Sequence, residues 1–289
     1  MKLIVNNNEI PIISLSINQN INLYYSYVQI NTLVPLRTKF ILEESIKETY
    51  YPLKTTYLKD RFLTVAVSEK TFKLLNTITN SYAGNATIKN VLNSLGIPFR
   101  SNYDSLASDW VIPKMNIMNL IKLLNTYTNI GNGGGVRFYI DINGELSMLD
   151  LHKEFNTSSV AEYDFEPSFD EVDTSWIIKS PGIVNMINSS IDGINKERIV
   201  FMEGYGEGTI YINNTTGQGL DLKRQAYRNQ FFYNYYNSRK ITTDCEVPPA
   251  IGQVIKLIGL DEKFITIGVE TIVTTNDESL NKLTLITHP

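Results

Sequence analysis

Residues 110–151 read WVIPKMNIMNLIKLLNTYTNIGNGGGVRFYIDINGELSMLDL, and the order of elements in this stretch decides how the flanks are read. Ile117, Leu120, Ile121, Leu124 and Tyr127 recur at spacings of three and four, which puts them on one face of a helix. Asn116 stands at the N-cap position, where its side chain can accept from the free amides of the first turn. Gly131 stands where a helix needs a left-handed stop. Val136, Phe138 and Ile140 then alternate with Arg137, Tyr139 and Asp141, the two-residue period of a half-buried strand. Asn143-Gly144 predicts a tight hairpin turn with positive φ at both centres, and residues 145–151 the return strand.

On both sides of this small α/β unit the pattern is mainly that of strands. Residues 2–5, 10–17 and 23–30 are strand-like runs, separated by asparagine-rich turns at 6–8 and 18–22. Residues 39–42 and 62–67 add two more, with Pro35 and Pro52 as punctuation. The stretch 71–82 fits a strand or a poor helix equally. Residues 88–95 predict a short helix with Ile88, Val91, Leu92 and Leu95 inward and Gly96 as its stop. Beyond the unit, 163–173 is acidic and loop-like, and strands are expected at 183–190, 198–205 and 209–212. The aromatic run 227–236 has no clear period. A last meander is expected at 241–247, 254–257, 264–274 and 280–286, with turns at Pro248-Pro249 and at 259–261. No short-period repeat marks a solenoid. The expected class is α+β, mainly β. Two β-rich blocks, residues 1–79 and 152–289, flank an α/β insert at 80–151 with two helices and a hairpin.

Composition narrows the function classes. No run is long enough to cross a bilayer, and MKLIVNNNEI lacks the basic and apolar regions of a signal peptide, so a cytoplasmic origin and no membrane insertion are expected. Cys245 is the only cysteine, which excludes an internal disulfide and a thiolate metal site. The net charge is -4 and no lysine-arginine run stands out, so the clustered cations of a nucleic-acid binder are missing. Polarity comes instead from thirty asparagines and many hydroxyls, while seventeen tyrosines and twelve phenylalanines suit strands and subunit contacts.

Candidate chemistry falls away on inspection. Gly131-Asn132-Gly133-Gly134-Gly135 follows a helix and precedes a strand, the reverse of a phosphate loop. Gly204, Gly206 and Gly208 form only an alternating-glycine loop. His152 and His288 lie in no motif, and with one cysteine they give no zinc spacing. Asp164, Glu166, Asp170, Glu171 and Asp173 offer carboxylate pairs for a hydrolase, although acid runs in loops are usually solvated. A calcium-loop reading of residues 141–145 fails because the glycine comes too early. No catalytic, cofactor-binding or metal residue is assigned, and no cofactor is expected.

A resemblance emerges around the insert. Asn85-Ala86-Thr87-Ile88-Lys89-Asn90-Val91-Leu92, then Leu95-Gly96-Ile97, then Asp109-Trp110-Val111-Ile112-Pro113, and finally Phe138-Tyr139-Ile140-Asp141-Ile142-Asn143-Gly144 resemble the pattern of phage baseplate hub proteins. That family includes the hub of T-even-like contractile tails, late control protein D and the N-terminal half of type VI secretion spike proteins. The match covers residues 80–151; the flanks share only the order of their β-blocks. The resemblance implies two tube-type antiparallel β-barrels joined by the insert, and a homotrimer whose six barrels adapt a sixfold tail tube to a threefold central spike. It implies no enzymatic activity and a place in the virion tail baseplate, after synthesis in the host cytoplasm. Implied partners are the tube ring, the spike, the tape-measure protein and baseplate wedge proteins, with DNA passing through the lumen without sequence-specific binding. The chain is short for the family, so the spike is expected to be a separate chain. Two other readings stand beside it: a carbohydrate-binding β-sandwich, from the aromatics and asparagines, and a hydrolase using residues 164–173, whose activity Asp170→Asn abolishes.

Overall fold

The computed structural model describes residues 1–43, 47–128, 136–156, 161–163, 183–190, 193–200, 209–214, 238–243, 247–258, 263–273 and 279–287. The N-terminal block supplies β1 (Lys2–Val5), β2 (Asn8–Ile10), β3 (Ile12–Asn20), β4 (Tyr27–Thr32), β5 (Phe40–Glu43), β6 (Lys47–Leu58) and β7 (Arg61–Ser68). They pair antiparallel in the order β3-β4-β7-β6-β5-β1-β2. Leu3 and Leu42, at one end of that order, share a core with Leu15, Val28 and Ile30 at the other. The sheet therefore curls over its own apolar face. Among the described residues β2 bonds to β1 alone, so the roll stays open.

Turn chemistry explains several boundaries. Asn6 and Asn7 have φ of 49° and 66°, the left-handed pair that a two-residue hairpin requires and that asparagine tolerates. Pro52 does not punctuate: it lies inside β6, at a bulge between Pro52 and Lys54 where a missing donor breaks no ladder. Asn18 and Asn20 belong to β3 rather than to a turn, and the chain reverses later through a single 3₁₀ turn at Ile21–Leu23.

Between the N-terminal strands and the insert lies α1 (Glu69–Leu75), capped by the Ser68 hydroxyl, which takes only the first five residues of the ambiguous 71–82 stretch. Next come β8 (Tyr82–Ala86), α2 (Ile88–Ser94), β9 (Phe99–Arg100), β10 (Ser108–Ile112), α3 (Ile117–Tyr127), β11 (Val136–Ile140), β12 (Leu146–Asp150) and α4 (Leu151–Phe155). Of the predicted inward faces of α2 and α3, Ile88, Val91, Leu92, Ile117, Leu120, Ile121 and Leu124 are completely buried, and the side chain of Tyr127 lies outside the described ones. Gly96 closes α2 at φ 69°, with its own amide on the Asn93 carbonyl and that of Ile97 on Leu92, the two bonds of a Schellman stop. The Asn116 side chain accepts from the Asn119 amide at 2.8 Å, as an N-cap should. Gly131 and the glycine run lie outside the described residues.

The hairpin register is Val136 with Asp150 through Ile140 with Leu146. Its turn differs from expectation. Only Gly144 has positive φ, at 75°, and Asp141 and Glu145 close a three-residue loop in which Gly144 donates to the Asp141 carbonyl. The reason lies in Asp141, whose Oδ1 accepts from the Glu145 amide at 3.0 Å and whose Oδ2 accepts from Ser147 at 3.0 Å. The turn also rests on α1, since a Cβ at Gly144 would fall 2.5 Å from that of Lys70.

The C-terminal block adds β13 (Ala161–Tyr163), β14 (Ile183–Ser190), β15 (Gly193–Val200), β16 (Thr209–Asn214), β17 (Ser238–Thr243), β18 (Val254–Leu257), β19 (Lys263–Val273) and β20 (Ser279–Thr287). β14, β15 and β16 form a sheet of their own. The others join the N-terminal sheet because β19 pairs with β3, from Gly268 opposite Asn20 to Val273 opposite Leu15. One twelve-stranded sheet thus carries strands from both ends of the chain. The architecture is α+β and mainly β, and the described strands do not close into a barrel. Ile21, Tyr139, Leu151, Val254, Ile265, Ile267 and Ile286 form the core where both blocks meet the insert.

Candidate assembly interface

The sequence candidates for chemistry do not converge. Asp164, Glu166, Asp170, Glu171, Asp173, Gly204, Gly206, Gly208, Cys245 and His288 lie outside the described residues, and His152 stands in α4. Among the described residues no three His, Cys, Asp or Glu side chains gather as a metal site. Both oxygens of Asp141 are engaged by its own hairpin. No described helix is long and apolar enough to cross a membrane.

What the fold does assemble is an apolar end on the N-terminal sheet. β6 and β7 form a long hairpin closed by Lys59 and Asp60, with Lys59 at φ 51°. Tyr57 faces Phe62 across it, ring centroids 5.1 Å apart, and Phe62 in turn pairs with Thr32 at the end of β4. The chain leaving β4 turns there, with the Thr32 hydroxyl donating to the Val34 carbonyl at 2.7 Å. Leu36 plugs the core, and its carbonyl accepts from the Thr55 hydroxyl at 2.8 Å. These bonds leave Leu33 64% and Tyr57 63% exposed, beside exposed Val34, Leu53 and Leu58.

Exposed Arg37, Lys54, Lys59, Asp60 and Arg61 lie in the same two segments. No local run of cations marks this surface, because it is built from residues 33–37 and 53–62 brought together by the β4–β7 ladder. Large apolar and aromatic side chains facing water, with cations in the same segments, have the make-up of a protein-binding surface.

No protein-family model and no curated protein sequence matches the chain. Solved structures do. A tail protein from Neisseria meningitidis superposes with a TM-score of 0.65 at 12% identity, covering 98% of this chain and 95% of that one. This chain shares the fold of that tail protein. A 43 kDa tail protein of prophage MuSo2 from Shewanella oneidensis shares it with a TM-score of 0.61 at 13% identity, over 99% of this chain and 97% of that one. An Escherichia coli type VI secretion component, described as structurally similar to bacteriophage T4 tail proteins, gives 0.50 at 12% identity over 100% of this chain and 77% of its own. The tail-protein fold therefore spans the N-terminal sheet, the insert and the C-terminal strands together.

Proposed function

We propose that the chain is a structural hub protein of a phage tail baseplate, assembled as a homotrimer. The observation that carries this reading is the tail-protein fold running over nearly the whole chain rather than over one block. In the proposed division, residues 1–79 and 152–289 each contribute a tube-type barrel and residues 80–151 hold the two at a fixed angle. Three copies then present six barrels around one axis, which adapts a sixfold tube to a threefold spike. The β3–β19 pairing supports this, since it makes the two blocks one continuous wall within a protomer.

The net charge of -4 suits a lumen through which DNA slides without neutralising its phosphates. The apolar end at Leu33 and Tyr57 is assigned to contacts with a second copy or with the tube ring. Spike, tape-measure and wedge proteins are the further partners, the site of action is the virion tail, and no catalysis is assigned. Electron microscopy of the purified chain tests the arrangement. Rings with threefold symmetry and a central hole are expected, and particles without rotational symmetry contradict it.

A further inference from the structure

A second feature lies away from the apolar end, in a cleft of about 390 Å³ where the insert meets the C-terminal block. Its size falls within the ~300–1,000 Å³ of small-ligand sites. Leu149, Pro248 and Pro249 give it apolar walls, and Arg100, Tyr139, Asp141 and Glu154 give it polar ones. Tyr139 is the telling residue. It is only 6% exposed, its ring is part of the junction core, and its hydroxyl bonds to no described residue. Arg100 is exposed at the end of β9 and pairs with no described carboxylate. Burial raises the Tyr139 pKa most; Asp141 raises it further, Arg100 opposes, and Glu154 adds a smaller upward push, so these charges surround the one hydroxyl.

The carboxylates are held rather than free to collapse onto Arg100. Glu154 accepts from the Tyr103 hydroxyl at 2.7 Å, and Asp141 is held by the turn and Ser147. Each carboxylate still has acceptor capacity, since its two oxygens offer about four lone-pair sites. The cleft therefore presents fixed acceptors beside the donors of Arg100 and Tyr139. One cation against two carboxylates disfavours an anionic ligand, and a purely cationic ligand leaves Arg100 and Tyr139 without an acceptor. A hydroxyl group both donates and accepts, so a neutral polyhydroxylated ring satisfies both sets while its C–H face lies on the prolines.

The geometry points to a binding site for a neutral saccharide unit in this cleft. It goes beyond the hub reading and does not depend on it. The test is saturation-transfer NMR on the full chain with lactose, maltose, cellobiose and chitobiose as probes, each at concentrations on the order of 10 mM, suited to affinities near 1 mM. At least one probe is expected to bind, and Arg100→Gln and Tyr139→Phe are each expected to weaken it about tenfold, as loss of one hydrogen bond to a buried or charged group does. Arg100 is exposed, so Arg100→Gln decides the matter even if Tyr139→Phe perturbs the junction core. No binding by any of the four probes overturns the inference. So does binding that Arg100→Gln leaves unchanged, or a lysine- or glutamate-containing peptide competing the sugar away at lower concentration.

Discussion

Asn125 on α3 and Phe138 on β11 are joined by two hydrogen bonds: the Phe138 amide donates to Oδ1 at 2.7 Å, and Nδ2 donates to the Phe138 carbonyl at 3.1 Å. The side chain thus acts as one residue of an extra strand on the edge of β11 that β12 leaves open. The same edge is extended at Ile140, which donates to the Tyr24 carbonyl at 2.7 Å and accepts from the Ser26 amide at 3.0 Å. Helix, hairpin and N-terminal block are fastened along one line. Asn125→Ala removes both bonds and leaves a buried amide and carbonyl unpaired, a cost of about 2–4 kcal/mol. Urea unfolding is expected to show it as a lower midpoint, with no change expected for exposed Asn119→Ala on the same helix.

Gly96 and Gly144 both adopt positive φ but for different surroundings. A Cβ at Gly96 meets nothing within 4 Å, so Gly96→Ala is expected to cost about 1 kcal/mol for backbone conformation alone. At Gly144 the added carbon would also lie 2.8 Å from the Thr71 amide nitrogen on α1. Gly144→Ala is therefore expected to cost about 2–4 kcal/mol, because neither backbone can shift cheaply. Equal losses in the two variants, measured by chemical denaturation, contradict the docking of this turn on α1.

Alkaline titration probes the buried phenols. Tyr50, Tyr103 and Tyr139 are all raised above the ordinary tyrosine value of 10.0, first by burial and then by carboxylates at Glu48, Glu154 and Asp141 respectively. Because the folded-state values lie above the unfolded one, the stability they represent is intact below pH 10 and falls as pH rises beyond it. Absorbance at the phenolate band is expected to show a late-ionising class in the folded chain. That class should merge with the others in urea, and a single class near 10 in the folded chain contradicts this burial.

The apolar end offers a variant that separates folding from assembly. Leu33→Ser with Tyr57→Ser changes exposed side chains, so stability is expected to fall by no more than about 1 kcal/mol, the loss of the Tyr57–Phe62 ring contact. Self-association is expected to weaken at least tenfold, about 1.4 kcal/mol or more, if this surface meets a second copy. Sedimentation velocity across a dilution series reads both the association and the compactness of the protomer.

The parts of this fold that were legible in the sequence are those set by local rules. The faces of α2 and α3, the Asn116 cap, the Gly96 stop and the presence of the β11–β12 hairpin follow from periods and caps within about a dozen residues. The expected hairpin register was off by one, because a three-residue loop takes the place of the expected two-residue turn. Long-range pairings left no such trace. β3 and β19 lie at opposite ends of the chain, and nothing in either run names its partner. Asn125 sits among the apolar positions of α3 yet is buried for its amide, which only the position of β11 explains. β8 was missed because its pattern of exposure does not alternate, and α4 because it is a single short turn of helix after Asp150. The Leu33–Tyr57 surface was invisible for a similar reason, being assembled from two segments with no shared local pattern.

The central claim is the oligomer. Light scattering coupled to size exclusion measures the mass of the purified chain directly. The account predicts about three times 32.8 kDa at the highest concentrations, and a mass of 32.8 kDa at every concentration contradicts it.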